Sequence, residues 1–419
     1  MALNVSSPKG TMDVLPGQSE KWQALENAVR SVCKRYGFEE IRTPVFEHTE
    51  VFSRGVGDTT DVVSKEMYTF EDKGHRSVTL RPEGTAGVVR SFLENGLFNN
   101  VLPAKLYYLI GCYRYEKPQK GRLREFHQFG IEMFGATDPS ADASVIAMPH
   151  RLFREIGVRG IKLHLNSIGC RSCRGEYRQK LIAYFEDKKE QLCPTCQERL
   201  YKNPMRILDC KDPACQALCK DAPLILDSIC PDCRTHFDTV RKYLDGMGIE
   251  YIVDPKIVRG LDYYNRTVFE FVSEEIGAQG TVCGGGRYDG MTTQLGGADY
   301  PGIGFAMGLE RFLLLLEAQG IDLASPNVPD LYIAPLGERA RAAALKIAED
   351  LISQDVSVST DLMGKSVKAQ MKYANRIGAR YVAVIGDSEL DAGVIRLKNM
   401  AQGEEKEIAL QQITKKDLA

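Results

Sequence analysis

Nowhere in its 419 residues does the chain hold an unbroken apolar run near the ~20 positions that a bilayer-spanning helix needs. Met1 to Gly10 carry no charged-then-apolar leader pattern. The expectation is a cytoplasmic protein with no membrane partner. Net charge is also small, −2 at neutral pH. That excludes a strongly basic, non-specific coat for nucleic acid, and leaves room for a local basic patch. The six histidines are too scattered to argue for a site of their own. Low-complexity tracts and fixed-period repeats are missing.

What is present is ordinary for a globular enzyme: 43% hydrophobic and 26% charged residues. The length suits two to three domains. Trp22, Leu25, Val29, Val32 and Tyr36 recur at helical spacing, which predicts an amphipathic helix over about 17–36, closed by Gly37. Pro44 follows in an extended stretch. Val78 to Arg81 reads as a strand. Lys105–Glu116 and Arg124–Phe134 read as an antiparallel hairpin with a basic tip, Lys117 to Leu123. Val268–Val272 and Ile303–Ala306 are further strands, Gly280–Gly290 a glycine-rich loop, and Met307–Glu317 a helix. After a linker over 321–329, strands and helices alternate, which predicts a small α/β domain.

Four segments carry candidate chemistry. Alternation puts Arg124, Phe126, Gln128, Gly130 and Glu132 on one strand face, with His127, Phe129, Ile131 and Met133 on a core face. The partner strand offers Cys112, Arg114 and Glu116. An aromatic can stack a base, and a glycine lets a ligand approach closely. Leu80-Arg81-Pro82-Glu83-Gly84-Thr85 sets a carboxylate at a strand end, suited to an ammonium group. Val258-Arg259-Gly260-Leu261-Asp262-Tyr263-Tyr264 offers an arginine fork for a phosphate and two hydroxyls. Gly302 to Arg311 sets glycines inside a strand, with Arg311 in the first turn of the next helix. Alone, the strand face is equally a solvated face, and the 80–85 and 258–264 segments read first as plain turns.

Together they resemble the three motifs of class II aminoacyl-tRNA synthetases: the long helix with Pro44, Tyr113-Arg114-Tyr115-Glu116 through Phe126, and Gly302 to Arg311. Val258–Tyr264 with Asn265-Arg266-Thr267, and Gly284-Gly285-Gly286-Arg287-Tyr288-Asp289, look like the two histidine-specific segments of histidyl-tRNA synthetases. The resemblance implies an α+β catalytic domain on a mixed, mainly antiparallel sheet, a helical insertion and a C-terminal α/β anticodon-binding domain. The expected bounds are 1–169 and 251–325 for the catalytic domain, 170–250 for the insertion and 326–419 for the anticodon domain. It implies ATP and L-histidine as substrates, tRNA(His) as acceptor, Mg²⁺ carried mainly by phosphates, and a homodimer.

By the same resemblance, Glu83 and Gln128 would hold the substrate ammonium, with Thr85 close by. Glu132 and Tyr264 would read the imidazole, and Tyr263 would line its pocket. Arg114 and Arg259 would flank the α-phosphate as the catalytic pair, and Arg311 would reach the γ-phosphate. Phe126 would stack on adenine, with Glu116 near its amino edge. A histidine-sensing relative without catalysis should lack the anticodon domain and the arginines, and this chain keeps both. A synthetase for threonine, proline or glycine is opposed by Glu132 and by Arg259–Tyr264.

The insertion departs from the family pattern, which does not require cysteine. Nine of the twelve cysteines fall between Cys170 and Cys233. Cys170/Cys173, Cys193/Cys196 and Cys230/Cys233 have zinc-knuckle spacing, and Cys210, Cys215 and Cys219 add more. In a long cytosolic chain such clusters read as structural zinc ligands, with reduced thiols in a core as the bland alternative. A helix over 174–191 would set the first two pairs ~27 Å apart, at ~1.5 Å per residue, so those two would not share one metal. Either can pair with Cys230/Cys233 or with Cys210/Cys215.

Overall fold

α1 (Ser19–Tyr36) buries Leu25, Val29, Val32 and Cys33 along one stripe, as three- and four-residue spacing requires. It ends at Gly37, whose left-handed φ of 73° suits a residue without Cβ. The computed structural model describes residues 5–57, 60–277, 280–324 and 327–418. These belong to two units, 1–324 and 325–419. The boundary expected between 325 and 326, inside the expected linker, lies outside the described residues.

In the first unit α1 is followed by β1 (Glu39–Glu40), β2 (Phe46–His48), α2 (Thr49–Val56), β3 (Tyr68–Glu71) and β4 (Ser77–Leu80). Then come α3 (Thr85–Glu94), β5 (Ala104–Tyr113), β6 (Glu125–Phe134), α4 (Pro139–Ile156) and β7 (Lys162–Ser167). The cysteine-rich stretch supplies α5 (Arg171–Glu186), α6 (Pro194–Lys202), α7 (Pro213–Leu218) and α8 (Pro231–Gly246). β8 (Ile252–Val253), β9 (Asn265–Val272), β10 (Thr281–Arg287), α9 (Met291–Gln294), β11 (Gly302–Gly308) and α10 (Leu309–Ala318) complete it.

The main sheet runs β1-β5-β6-β11-β10-β9-β7-β8. Only its edge strands β1 and β8 pair in parallel. β2, β4 and β3 form a small antiparallel sheet. Alternation sorts β6 as the sequence predicts. Phe129, Ile131 and Met133 join a core with Val29 of α1, Ile146 of α4, Val240 of α8 and Phe312 of α10. The opposite sheet face packs on Phe52 of α2 and Phe92 of α3, with Tyr108, Tyr264 and Tyr288 among them.

Several expectations need correction. β5 stops at Tyr113, because the Tyr115 N–H turns away to donate to the Glu66 carbonyl. The glycine-rich stretch 280–290 is largely a strand, β10, held between β9 and β11. Glycine carries no side chain to show a two-residue period, so the pattern looked like a loop. α10 starts at Leu309 rather than Met307, since β11 continues to Gly308. α5 ends at Glu186, shorter than the helix expected over 174–191. His127 is not a core residue. Its side chain is 40% exposed, and its Nδ1 lies 2.9 Å from Oε1 of Glu310 at the start of α10. Within the expected insertion, α8 buries Phe237, Val240 and Leu244 in the main core. Tyr177, Leu181, Phe185, Leu200 and Ile207 form a separate small core.

The second unit holds β12 (Leu331–Pro335), α11 (Glu338–Ile352), β13 (Val358–Thr360), α12 (Val367–Arg376), β14 (Tyr381–Ile385), α13 (Asp387–Ala392), β15 (Val394–Asn399) and β16 (Glu405–Ala409). Its sheet runs β13-β12-β14-β15-β16. The first three strands are parallel, as alternation of strand and helix predicts, and the last two are antiparallel. No described helix in either unit is long and apolar enough to cross a membrane.

Candidate active site

The site is built where side chains are missing. Gly130, Gly284, Gly302 and Gly304 lie in the three central strands β6, β10 and β11. Larger neighbours fill the space above them. A Cβ added at Gly130 would meet Tyr108 Cζ at 2.2 Å, and one at Gly284 would meet an Arg259 guanidinium nitrogen at 2.5 Å. At Gly302 the neighbour is Tyr288 at 2.2 Å, and at Gly304 it is Glu132 Oε2 at 2.0 Å. Gly130 was expected to admit a ligand. It admits the Tyr108 ring instead.

Over this floor opens a cavity of about 260 Å³. Glu83, Thr85, Gln128, Tyr263 and Tyr264 line it. Arg114, Glu116, Phe126, Arg259 and Arg311 line it too. Of the residues to which the resemblance gives a histidine or ATP role, only Glu132 is not on its wall. Glu132 is buried and bonded to Tyr288 Oη at 2.5 Å and Tyr108 Oη at 3.3 Å. Neither tyrosine was anticipated in this role. Tyr288 stood inside the Gly284–Asp289 segment, and Tyr108 shares its strand face with Cys112, so the signal was there.

Burial sets the electrostatics. It pushes the Glu132 carboxyl up to about 8, against the lowering pull of its hydrogen bonds to Tyr288 and Thr85. Glu83 is raised for the same reason, although its oxygens accept the Thr85 and Ala86 N–H groups, each at 2.8 Å. Those are free donors of the first turn of α3, so Glu83 is held by a helix end. Burial works against the charge on Arg259, but Glu270 and Tyr264 outweigh it and raise its pKa. Arg259 pairs with Glu270, lies 5.4 Å over the Tyr264 ring, and keeps a buried Nε with no hydrogen-bond partner. Glu270 was missed, because its pairing crosses from strand to loop.

The other arginines are also fixed. Arg114 Nε donates to the Pro82 carbonyl at 2.8 Å, and its guanidinium lies 5.2 Å over Phe126. Arg311 donates to the Thr281 carbonyl at 2.7 Å. Glu116 faces Arg122 of the hairpin tip at 3.2 Å. The cavity therefore carries Arg114, Arg259 and Arg311, with Arg122 at its hairpin side, beside a buried group of carboxyls and tyrosine hydroxyls.

The profile described as Histidyl-tRNA synthetase matches residues 10–188 and 216–312. The chain belongs to the histidyl-tRNA synthetase family. The profile of an anticodon binding domain matches residues 330–416. A histidine–tRNA ligase of Acetivibrio thermocellus is 54% identical over 404 residues, covering 96% of this chain and 97% of that one. One of Caldanaerobacter subterraneus is 52% identical over 98% of each chain. The apo histidyl-tRNA synthetase of S. aureus superposes with a TM-score of 0.82 at 40% identity, covering 97% of this chain and 98% of that one. The class II fold and the C-terminal anticodon-binding domain are thus as the resemblance implied.

Residues 189–215 fall outside the family profile. They hold one of two thiol sets. Cys193, Cys196, Cys210 and Cys215 have their sulfurs all within 4.8 Å of one another, and so do Cys170, Cys173, Cys230 and Cys233. Of the pairings left open by the sequence, these are the two that the structure brings together. Among the described residues no other three or more His, Cys, Asp or Glu side chains gather in this way.

Proposed function

We infer that the chain joins L-histidine to tRNA(His) with ATP, through histidyl-adenylate, releasing AMP and pyrophosphate. The observation that carries this is one cavity in which Arg114, Arg259 and Arg311 converge beside Glu83, Gln128 and Tyr264. A histidine carboxylate oxygen attacks the α-phosphorus and the bond to pyrophosphate breaks. A hydroxyl of the terminal tRNA ribose then attacks the acyl carbon, and AMP leaves. No protein atom needs to be bonded in either step. Positioning and neutralisation of developing charge supply the rate.

Arg259 and Arg114 would flank the α-phosphate, and Arg311 would reach the γ-phosphate. Phe126, already under a cation, offers a flat face for adenine, with Glu116 near its edge. Glu83 and Gln128 would take the ammonium beside Thr85. Tyr264 and Glu132 would read the imidazole, with Tyr263 alongside. Glu132 keeps lone pairs for an N–H donor beyond its two tyrosines. Mg²⁺ would arrive with ATP. Zinc on the thiol sets would be structural and away from the reacting atoms.

The second unit would read the anticodon of tRNA(His), and the chain would work in the cytoplasm as a homodimer. Supporting a second copy, Val45, Phe46 and Phe70 stand 44%, 55% and 48% exposed on or beside the small sheet. Such a row of apolar side chains is a surface that a partner covers.

Pyrophosphate exchange into ATP, run with each of the twenty amino acids, tests the reading. The expected result is exchange with histidine alone, falling ~100-fold or more in Arg259→Ala, as for a transition-state contact worth ~3 kcal/mol. Saturable histidine binding with no exchange for any amino acid would point instead to a histidine sensor.

A further inference from the structure

We propose that each thiol set binds one Zn²⁺, and that the two metals fix the backbone of residues 259–264, so that zinc occupancy governs the rate of histidine activation. The inference rests on the ligase reading only for that last consequence.

The sulfur geometry points to a metal rather than to disulfides or loose core thiols. Cys170 and Cys173 Sγ lie 3.6 Å apart, and Cys193 and Cys210 Sγ 3.8 Å apart. Four thiolates around Zn²⁺ at ~2.3 Å have edges of ~3.8 Å. A disulfide needs ~2.05 Å. Backbone donors are aimed at sulfur. The Cys230 N–H donates to Cys173 at 3.1 Å, the Cys193 N–H to Cys215 at 3.3 Å, and the Asp212 N–H to Cys210 at 3.5 Å. Cys170, Cys193 and Cys230 each cap the start of a helix, α5, α6 and α8. Cys173, Cys196 and Cys233 sit in the first turns of the same three helices.

The same elements reach the activation site. Arg174, next in chain after Cys173, donates to the Tyr264 carbonyl at 2.6 Å and the Asp262 carbonyl at 3.3 Å. Between Cys196 and Cys210, Asn203 donates to Asp262 Oδ1 at 2.8 Å, and Arg206 donates to the Arg259 carbonyl at 3.2 Å. Three side chains anchored by the two thiol sets thus hold the strip that presents Arg259, Tyr263 and Tyr264 to the cavity. The insertion's own core is small, and small cores of this kind are commonly stapled by a metal. Without the staple these grips loosen, and an error of ~1 Å in a positioned group costs up to ~100-fold in rate.

The full chain, purified without chelator, should carry two zinc ions by elemental analysis, one per thiol set. Cys173→Ser and Cys210→Ser should each retain one. In Cys210→Ser, amide hydrogen exchange across 259–264 should quicken about tenfold, a sign of local opening. Arg206→Ala should keep both zinc ions. Its exchange kcat should nonetheless fall about tenfold, with KM for ATP within about twofold, as for a positioning residue. Zinc below about a tenth of an equivalent overturns the metal sites. Two zinc ions in the unaltered chain, together with unchanged amide exchange in Cys210→Ser or unchanged kcat in Arg206→Ala, overturn the coupling. If Cys210→Ser does not fold, Arg206→Ala decides alone. Zinc content and amide exchange need no activity, so their failure is distinct from failure of the ligase reading.

Discussion

Gly304 lies against Glu132: a Cβ on the glycine would sit 2.0 Å from Oε2 and 2.2 Å from the Ile131 carbonyl oxygen. The second contact is backbone of the neighbouring strand and cannot swing aside. Gly304→Ala should therefore cost about 1–3 kcal/mol, the range for overpacking. It should also displace Glu132 and raise KM for histidine more than KM for ATP. A thermal melt with steady-state exchange checks both. An unchanged melting temperature would show that the strands separate easily here.

Glu132 should make the unliganded protein lose stability as pH rises. Its carboxyl sits at about 8 because it is buried, against an ordinary value of 4.5. The folded state therefore holds a proton that the unfolded chain has already lost over that window. The stabilisation is complete below about 4.5 and disappears as pH climbs through about 8. Tyr108, Tyr288 and Thr85 contact this group, and Glu83 repels its charge. Glu132→Gln should flatten the dependence of melting temperature on pH between 5 and 8, since the amide carries no charge. Equal slopes for both proteins would assign the dependence elsewhere.

Arg311 lines the cavity and is held by the Thr281 carbonyl at 2.7 Å and, more weakly, by the Gly121 carbonyl of the hairpin tip at 3.4 Å. Arg311→Ala should raise KM for ATP about tenfold with a smaller change in kcat, the pattern of a contact made alike in ground and transition states. Histidine binding by calorimetry should not change. A fall in kcat alone would place this arginine nearer the reacting phosphorus.

Phe46 and Phe70 flank β4 from both sides of the small sheet, each opposite a β4 residue. A double change, Phe46→Asp with Phe70→Asp, should convert a dimer to a monomer in sedimentation. Both side chains are about half exposed in one chain, so the monomer should fold, and its melting temperature reports this. A dimer that survives both charges would place the second copy on another face.

Much of this site was legible because strands announce themselves by alternation. The face carrying Gln128 and Glu132 followed from a period of two, and the arginines followed from their motifs. What escaped depends on who fills a vacancy. A glycine in β10 says that something large lies above it, and only the fold says that it is Arg259. Glu270 looked like one acid on a plain strand until β9 brought it under that arginine. His127 has the parity of the core face and does meet Trp22 of α1 and Glu310 of α10, but near the start of β6, where it stays 40% exposed. The thiol pairs were plain from spacing. Their partners were not, since spacing along a chain leaves the closing pair open.

The order of strands has a consequence for synthesis. β6 pairs on one side with β5, close in sequence, and on the other with β11, whose residues 302–308 face residues 128–134. A ribosome that has made only the first half of the chain has therefore produced a sheet with a bare edge in its centre, bearing the apolar Phe129, Ile131 and Met133. Contacts this far apart in sequence form slowly, and an unpaired edge invites other strands. Between residues 134 and 308 this central edge has no partner strand, and pulse-labelled truncations ending on either side of Gly308 should aggregate more before it than after it.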